Sequence, residues 1–454
     1  MYEPCGTRSA GLFLKGNKMK IWTCPAGTFK GTESEICHEL YGIRYAESER
    51  FCKPVRYIYS EGVHSCSTKS PYALQLHSKP EAYLFGIDYS KIYQEESCQY
   101  LSITIPKGAN EGDSLPVMVW IHGGAFRNGG NDHECYDSDL LAHEGNVIVV
   151  RINYRLGTLG FVKDENGDSA NLGLLDAISA LEWIRENIEG FGGDPANVTL
   201  FGQSAGAQII AGLIVADRTD NLFKNAIMHS TPLGAMKGRE AMDARMLEQL
   251  NEMPIDASEE QLREKQGYIL NNIKEKGLPK FMPFAPHYGV APLPSEDKIP
   301  EVFKERASRH SIMIGFNTRE ASAYVGDIKL IAAFDSFPLT RWIVEIILKI
   351  MSKRIFGTPS KEFARQYAKA GGKSWFYEFS WGKKNAILKA CHCMELVLLF
   401  GGKSLIGREI TMGMSEDEII KTGEELRSVW YNFAKTGEVK TKGIPDMIDI
   451  KKFR

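Results

Sequence analysis

The pentapeptide GQSAG at 202–206 places Ser204 between two glycines. It follows an apolar run, NVTLF at 197–201, and opens a second one, AGAQIIAGLIVA at 205–216. A strand that turns sharply into a helix needs glycines on both sides of the turn, because side chains there would collide. Such a turn exposes the serine hydroxyl at a helix N-terminus, where the dipole stabilises developing negative charge. The pattern predicts that Ser204 is a nucleophile for acyl transfer, and an incidental glycine-rich turn is the alternative.

A second glycine pair lies in HGGAF at 122–126, directly after the apolar run LPVMVWI at 115–121. Acyl transfer builds a negative oxygen in its transition state, and backbone N–H groups that approach closely stabilise that oxygen. Because glycines permit this approach, the predicted oxyanion hole consists of the N–H groups of Gly123, Gly124 and Ala205. His122 is interpreted as a structural residue that shapes the loop. A plain glycine turn after a strand is the alternative.

A serine hydroxyl needs a base that removes its proton and an acid that orients the base. In hydrolases with this strand–turn–helix, the partners follow in the order serine, acid, histidine. The histidines after the serine are His229, His287, His310 and His392. The acid is expected just after a later strand, and Glu320 follows the predicted strand Ser311–Asn317 by three residues. Only His392 comes after Glu320, so chain order selects Ser204, Glu320 and His392 as a triad. Asp327 is the reserve acid, and a solvated loop carboxylate is the alternative role for Glu320.

Three nearly continuous apolar runs lie at 115–122, 146–153 and 197–201. Strands covered by helices on both faces have this composition, as in parallel sheets. Between the second and third runs, residues 170–193 carry apolar side chains at a spacing of three and four and end in glycines, which predicts a helix. Strand, helix and strand in succession form a βαβ unit of a doubly wound sheet. Further strands are expected at 224–230, 311–317 and 374–381, and a long final helix before Gly437.

Two charged, helix-like stretches, at about 235–278 and 328–370, interrupt the predicted sheet. We interpret them as helical insertions over the carboxyl edge of a mostly parallel sheet, where open α/β sheets bind ligands. We find no internal repeat or low-complexity linker in the sequence. The predicted organisation is a single α/β domain over 19–454, preceded by an N-terminal extension, 1–18.

The stretch FPLTRWIVEIILKIM at 337–351 is crowded with apolar residues. Its three charged residues lie four apart, so on a helix they share one face and leave the rest apolar. This helix is either part of the core or a wall or lid of an acyl pocket, since ester substrates need an apolar cleft. On the second interpretation, the substrate pocket includes Ile343 and Ile347, together with Phe126 of the glycine loop.

The composition narrows the possible functions. With 454 residues, 43% hydrophobic and 25% charged, the chain is an ordinary globular protein, and its net charge of -2 predicts no binding to nucleic acid. The sequence contains no apolar run long enough for a spanning helix and no visible export signal, so we expect a cytoplasmic enzyme without a stable membrane anchor. The oligomeric state is left open.

Nine cysteines are scattered along the sequence, an odd number typical of mostly free thiols in a reducing compartment. Cys391 and Cys393 flank His392, and such residues ligate zinc in other proteins. The sequence has no C-x-x-C pair, so no metal is expected. The predicted chemistry also needs no cofactor.

These motifs together resemble the type B carboxylesterases, the carboxylesterase/cholinesterase family, and among them the compact bacterial para-nitrobenzyl esterases. The resemblance runs from about Met19 nearly to the C-terminus. It rests on the segments GIRYAE, ESCQYLSI, HGGAF, INYRLGTLGF, FGGDPANVTLFGQSAG, FNTREAS, ACHCMELVLLFGG and WYNFAKTG, in that order. It implies an α/β-hydrolase fold, with Glu320 in a D-E-G-like motif and His392 in an H-G-x-E-like motif.

The sequence departs from the family pattern at a few positions. Gln203 stands where the family usually has glutamate, a variant that should not block catalysis. Ala321 and Cys393 replace the glycines that follow the acid and the histidine. The first cysteine of the family's N-terminal disulfide falls near Ala73, which leaves Cys98 without that partner.

The resemblance implies hydrolysis of carboxylic esters through an acyl-enzyme, on neutral small to medium esters. Cholinesterases hold choline against a tryptophan in the loop closed by that disulfide, and the sequence has no tryptophan between Ala73 and Cys98. The same chemistry on amide, carbamate or thioester bonds is one alternative. A non-catalytic, cholinesterase-like adhesion protein is a remote one, because such proteins have usually lost the triad.

Overall fold

In a computed structural model of the chain, the structure describes residues 20–163, 167–235, 238–254, 256–275, 280, 282–327, 341–382 and 388–453. The expected N-terminal extension, 1–18, lies outside these residues. A large mixed sheet forms the centre of the molecule, and we number its strands along the chain. They are β1 Thr32–Glu33, β2 Cys37–Arg44, β3 Tyr100–Pro106, β4 Leu115–Ile121, β5 Ile148–Ile152, β6 Gly193–Gln203, β7 Asn225–His229, β8 Ser311–Asn317, β9 Lys373–Phe379, β10 Gly443–Ile444 and β11 Ile448–Phe453.

The order of the strands across the sheet is β10-β11-β9-β8-β7-β6-β4-β5-β3-β2-β1. Strands β4 to β9 are mutually parallel, whereas the strands at both edges pair antiparallel. The chain moves from β4 to β5 on one side and returns to β6 on the other side of β4. The carboxyl ends of β4 and β6 therefore meet at a topological switch point, where ligands bind in such sheets. The predicted mostly parallel, doubly wound sheet is confirmed.

The apolar runs form strands because both faces of the sheet are covered. In β4, the alternate residues Val117, Val119 and Ile121 pack into one core layer, and Met118 and Trp120 pack into the other. All five are buried completely. A run without polar residues is the composition that a strand in this position requires.

Helices cover both faces of the sheet. Helices α4 (Leu172–Asn187) and α5 (Ala205–Val215) contribute to the first core layer. Helices α2 (Asp139–Gly145), α11 (Met394–Leu399) and α12 (Glu416–Thr436) contribute to the second. The last helix is preceded by Ser415, whose side chain caps the Glu418 N–H, and is followed by Gly437 with φ 66°. The helices are α1 Lys79–Phe85, α2 Asp139–Gly145, α3 Gly157–Phe161, α4 Leu172–Asn187, α5 Ala205–Val215, α6 Glu240–Asn251, α7 Glu259–Asn271, α8 Ile299–Arg306, α9 Arg341–Ser352, α10 Thr358–Lys369, α11 Met394–Leu399 and α12 Glu416–Thr436.

Both predicted insertions are helical where the structure describes them. The first contains α6 and α7, and Gln266 of α7 accepts a hydrogen bond from the N–H of Thr158, in the segment that follows β5. The second contains α9 and α10, and α9 packs on the 3₁₀ helix Glu320–Asp327, which follows β8. Both segments come after parallel strands, so the insertions lie over the carboxyl edge as predicted.

Short strands outside the main sheet surround its N-terminal part. Three of them form a small sheet, and the others form two pairs. They are Ile21–Cys24 with Gly27–Lys30 and Val63–Ser65, Ala46–Glu47 with Val55–Arg56, and Tyr72–Ala73 with Gln94–Glu95. Within the described ranges, every helix is too short or too polar to cross a bilayer.

Candidate active site

The predicted nucleophile turn joins β6 to α5, and Ser204 at its apex has φ 56° and ψ −119°. That conformation is rare and strained for a residue with a side chain, and it persists only where the surroundings impose it. A Cβ at Gly202 would lie 2.8 Å from the carbonyl oxygen of Ile121, and a Cβ at Gly206 would overlap the same carbonyl. Both glycines are therefore required by the close approach of β4.

Glu320 and His392 lie on neighbouring loops, after β8 and β9. The Nδ1–H of His392 donates to Oε2 of Glu320 over 2.5 Å. Glu320 is fully buried, and its other oxygen accepts the backbone N–H of Asn317 at 2.7 Å. A backbone hydrogen bond from Arg319 to Ala390, of 3.1 Å, holds the two loops together. Because the ring proton faces the carboxylate, Nε2 carries the lone pair through which the ring can act as a base.

The third predicted partner, Ser204, makes no hydrogen bond with His392 in the described chain. The side-chain amide of Gln203 lies there instead, with 2.9 Å between Nε2 of Gln203 and Nε2 of His392. A neutral imidazole has one lone pair at this nitrogen, so the amide and the serine hydroxyl compete for it. The sequence indicates that Gln203 is a harmless variant and gives no sign of this contact, which depends on how two distant loops meet.

The loop after β4 carries the predicted oxyanion hole. A Cβ at Gly123 would lie 3.3 Å from Cβ of Ser204, and one at Gly124, where φ is 107°, would overlap the carbonyl of Asn128. Among the described residues, the backbone N–H groups of Gly123 and Gly124 donate to no protein acceptor. Ala205 opens α5, where first-turn N–H groups have no partner within the helix. The structure thus brings the first glycine beside the serine and leaves its N–H available.

The sequence profile of the Carboxylesterase family matches residues 18–333 and 340–447. The chain belongs to the carboxylesterase family. It is 34% identical to the "Probable N-octanoylanthranilate hydrolase AqdA2" of Rhodococcus erythropolis, over 93% of this chain and 94% of that one. It is 32% identical to the para-nitrobenzyl esterase of Bacillus subtilis strain 168, over 94% and 91%. A solved PNB esterase structure superposes with a TM-score of 0.77 at 29% identity, over 96% of this chain and 97% of the other.

These matches confirm the predicted family, the α/β-hydrolase fold and the esterase activity class. One departure from the family pattern has a local explanation in this carboxylesterase. Ala321 packs its methyl group against Val344 and Leu348 of α9, where glycine would leave a gap. Cys393 keeps the left-handed conformation that favours glycine, with φ 71°.

The described cysteines of the carboxylesterase are all free thiols, and Cys98 and Ala73 are both buried. Burial is the main cause that raises the pKa of Cys391 and of Cys393, so both thiols are protonated at neutral pH. Within the described chain, no group of three or more His, Cys, Asp or Glu side chains is arranged to hold a metal ion.

Behind the serine, the carboxylesterase contains a second histidine–carboxylate pair. The carbonyl of His229 accepts the backbone N–H of Ser204 at 2.9 Å. The Nε1–H of Trp430 donates to Nε2 of His229 at 3.0 Å, so the ring carries its proton on Nδ1, 3.6 Å from Oε1 of Glu395. Asn317 donates to the other oxygen of Glu395. The sequence offers His229 only as one of four candidate histidines, so this supporting network was missed.

The structure places the predicted pocket residues in different environments. Phe126 is completely buried, and its ring packs 4.7 Å from that of Phe161. Ile343 and Ile347 of α9 are 38% and 39% exposed. Their role in a substrate pocket stays a prediction.

Two aromatic rings that the sequence did not single out flank the predicted base. The ring centroids of Phe356 and Tyr324 lie 5.3 and 5.8 Å from that of His392. Both belong to the helical material above the sheet, whose packing no local pattern reveals.

His122 has a structural environment, as expected. Burial lowers its pKa to about 4, although the hydrogen bond from Nδ1 to the carbonyl of Gly123 opposes this. Its ring stacks on Tyr154, whose hydroxyl donates to the His122 carbonyl at 2.8 Å. A histidine that stays neutral and fully engaged supports the glycine loop without taking part in proton transfer.

Proposed function

We propose that this carboxylesterase hydrolyses neutral, small to medium carboxylic esters through an acyl-enzyme on Ser204. The observation that carries the proposal is the buried Glu320–His392 pair beside the strained serine turn. The fully buried carboxylate fixes the ring and leaves Nε2 directed at the end of β6, where the serine lies.

In the proposed mechanism, Oγ of Ser204 attacks the ester carbonyl while Nε2 of His392 takes its proton. Glu320 stabilises the imidazolium that forms. The negative oxygen of the tetrahedral intermediate is held by the N–H groups of Gly123, Gly124 and Ala205. The protonated Nε2 then gives its proton to the leaving alcohol, and water releases the acid by the same steps.

The amide of Gln203 has to leave Nε2 before the serine can use it. In the resting enzyme the amide donates to the lone pair of the base, so proton transfer from Ser204 requires the amide to rotate away. A substrate that fills the space beside Ser204 supplies this displacement in our account.

A panel of para-nitrophenyl esters of increasing acyl length tests the proposal. Ser204→Ala should lower kcat by about 10⁴-fold or more, because it removes the nucleophile. Ser230→Ala is the matched control: Ser230 directly follows the adjacent strand β7 and is also buried. Full activity in Ser204→Ala, or an equal loss in Ser230→Ala, would contradict the assignment.

Amide hydrolysis is a second candidate, favoured by the 34% identity to the probable N-octanoylanthranilate hydrolase of Rhodococcus erythropolis. The same residues serve this reaction if His392 protonates the departing amine. Parallel kcat/KM measurements on N-octanoylanthranilate and on phenyl octanoate, which share an acyl group, separate the two. We expect the ester to be preferred, and a clear preference for the amide would reverse the order of the candidates.

A further inference from the structure

Helix α9 presents an unusual amount of apolar surface. Of the fourteen large apolar side chains that are exposed in the described chain, five lie on this one helix. Trp342 is 62% exposed and Ile350 is 60% exposed. The others are Ile343, Ile346 and Ile347. Scattered apolar residues on a surface are ordinary, whereas a contiguous cluster of this kind marks a surface that meets a partner.

The opposite side of α9 is buried against the rest of the protein. The exposure of its apolar side chains therefore does not result from poor packing of the helix. Val344 and Leu348 are each 1% exposed and pack against Ala321. The hydroxyl of Ser352 accepts the backbone N–H of Ala321 at 3.2 Å. One face of the helix is therefore fixed to the loop of Glu320, and the other faces outward.

The charges around the exposed face are positive. Lys349 is exposed near its C-terminal end, and Lys353 and Arg354 are exposed in the helical turn that directly follows it. The single carboxylate of α9, Glu345, is occupied by Arg319 and by Lys389, whose Nζ donates to it at 2.7 Å. Burial would raise the pKa of Glu345, but the hydrogen bond from Lys389 and the charges of both cations outweigh it and lower the pKa. The cations at the end of the helix are thus not neutralised by its own acid.

We propose that this face of α9, defined by its five exposed apolar residues and by Lys349, Lys353 and Arg354, docks the protein reversibly on an anionic lipid surface. A helix with a tryptophan and isoleucines on one side and lysines and arginine beside them fits the boundary between acyl chains and headgroups. Each cation near such a surface adds to binding, and salt screens that part. A second copy of the chain fits less well, because a symmetric contact through this face would bring like charges together.

The helix that carries the docking surface lies next to the proposed active site, since the packed side of α9 contacts the residues on both sides of Glu320. Binding itself does not depend on catalysis by Ser204. It is measured without turnover, so the docking proposal and the esterase proposal fail separately.

Co-sedimentation with lipid vesicles tests the docking. The full chain is mixed with vesicles of phosphatidylglycerol and phosphatidylcholine, and in parallel with vesicles of phosphatidylcholine alone. We expect binding to the anionic vesicles at low salt and weaker binding at high salt. Both Trp342→Gln/Ile350→Gln and Lys349→Glu/Lys353→Glu should lower the binding constant tenfold or more.

Ile58→Gln is the control, because Ile58 is 83% exposed in a different part of the chain and should not affect binding. Each variant should unfold at the same temperature as the wild type. This result would show that a loss of binding is not caused by a loss of the fold. Absence of binding to anionic vesicles, equal binding to both lipid mixtures, or an equal effect of Ile58→Gln would overturn the proposal. Dimerisation that is abolished by Trp342→Gln/Ile350→Gln would also overturn it and assign the face to a second copy.

Discussion

The side-chain amide of Gln203 donates to Nε2 of His392, the nitrogen that acts as the base in the proposed mechanism. Its amide is neutral, whereas the family usually has a carboxylate at this position. Gln203→Glu would place a negative charge about 2.9 Å from Nε2 of His392, the present distance of the amide. A nearby opposite charge favours the protonated imidazolium, so the base would stay protonated up to higher pH.

The acid limb of the kcat/KM–pH profile in Gln203→Glu should therefore move upward by about 1 pH unit or more. Gln203→Ala carries no charge and serves as the control, with its acid limb close to that of the wild type. A profile that does not move in Gln203→Glu would show that this side chain does not contact the base in the working enzyme.

Gly123 has no room for a side chain. In Gly123→Ala the added Cβ would lie 2.7 Å from the carbonyl oxygen of Gln203 and 3.3 Å from Cβ of Ser204. The loop would have to shift, which would move the N–H of residue 123 away from the oxygen that it is proposed to stabilise in the transition state. We expect kcat to fall by about 10²- to 10³-fold, the usual effect of losing one oxyanion donor.

Gly212→Ala is the matched control for this change. Gly212 lies within α5, and the nearest atom to an added Cβ is Cδ2 of Leu293 at 3.5 Å, which is an ordinary contact. Activity should persist in this variant. Equal losses in the two variants would argue that any added methyl group near the serine turn disturbs the enzyme.

Helix α12 supports the serine turn through Trp430. The indole N–H of Trp430 donates to His229, whose carbonyl accepts the backbone N–H of Ser204. Trp430→Phe removes the donor to Nε2 of His229 and leaves a buried acceptor unsatisfied. Such a loss costs about 1–3 kcal/mol beyond the effect of the smaller ring. Trp183 is also buried, and its Nε1 has no partner in the described chain, so Trp183→Phe measures the ring alone.

Urea unfolding of both tryptophan variants gives the comparison. We expect Trp430→Phe to lower the free energy of unfolding by about 1–3 kcal/mol more than Trp183→Phe does. Equal losses would mean that the hydrogen bond to His229 adds nothing to stability.

The central strands were predictable from the sequence because they are buried on both faces. β8 begins and ends where its apolar run does, and β4 and β7 differ from the prediction only at their ends. Strands close to the edge of the sheet, such as β11, IDIKKF, mix charged and apolar residues and carry no such signal. The serine turn and the glycine loop follow local patterns and were equally accessible, whereas the triad that chain order selects stays a prediction.

Contacts between distant loops were not predictable. They depend on how the loops pack over the sheet. Examples are the hydrogen bond between Gln203 and His392, the rings of Phe356 and Tyr324 beside His392, and the His229 network. Chain order selected Glu320 and His392, but their spacing of 72 residues does not reveal what else would surround the base.

Buried neutral histidines make the free energy of unfolding of the protein depend on pH. Burial lowers the pKa of His122 and of His310 to about 4 in each case. In the unfolded chain both would titrate near 6.5, so acid protonates the unfolded state first. Their contribution is complete above pH 6.5 and is lost progressively as the pH falls to about 4.

When the pH falls from 7 to 5, each of these histidines should lower the free energy of unfolding by about 2 kcal/mol. Urea unfolding at the two values measures the loss. His310→Phe, which keeps an aromatic ring stacked on Phe223, should reduce the pH dependence. A loss of the same size in His310→Phe and in the wild type would contradict this account.

Covalent labelling with a serine-reactive phosphonate tests whether Ser204 is the nucleophile, because the label reports the activated hydroxyl itself. Mass spectrometry of the digested enzyme should find one equivalent of label, on the peptide that contains Ser204. Ser204→Ala should remain unlabelled, and His392→Ala should react far more slowly because the serine lacks its base. Label on any other residue, or no label on an enzyme that hydrolyses esters, would contradict the assignment of Ser204 as the nucleophile.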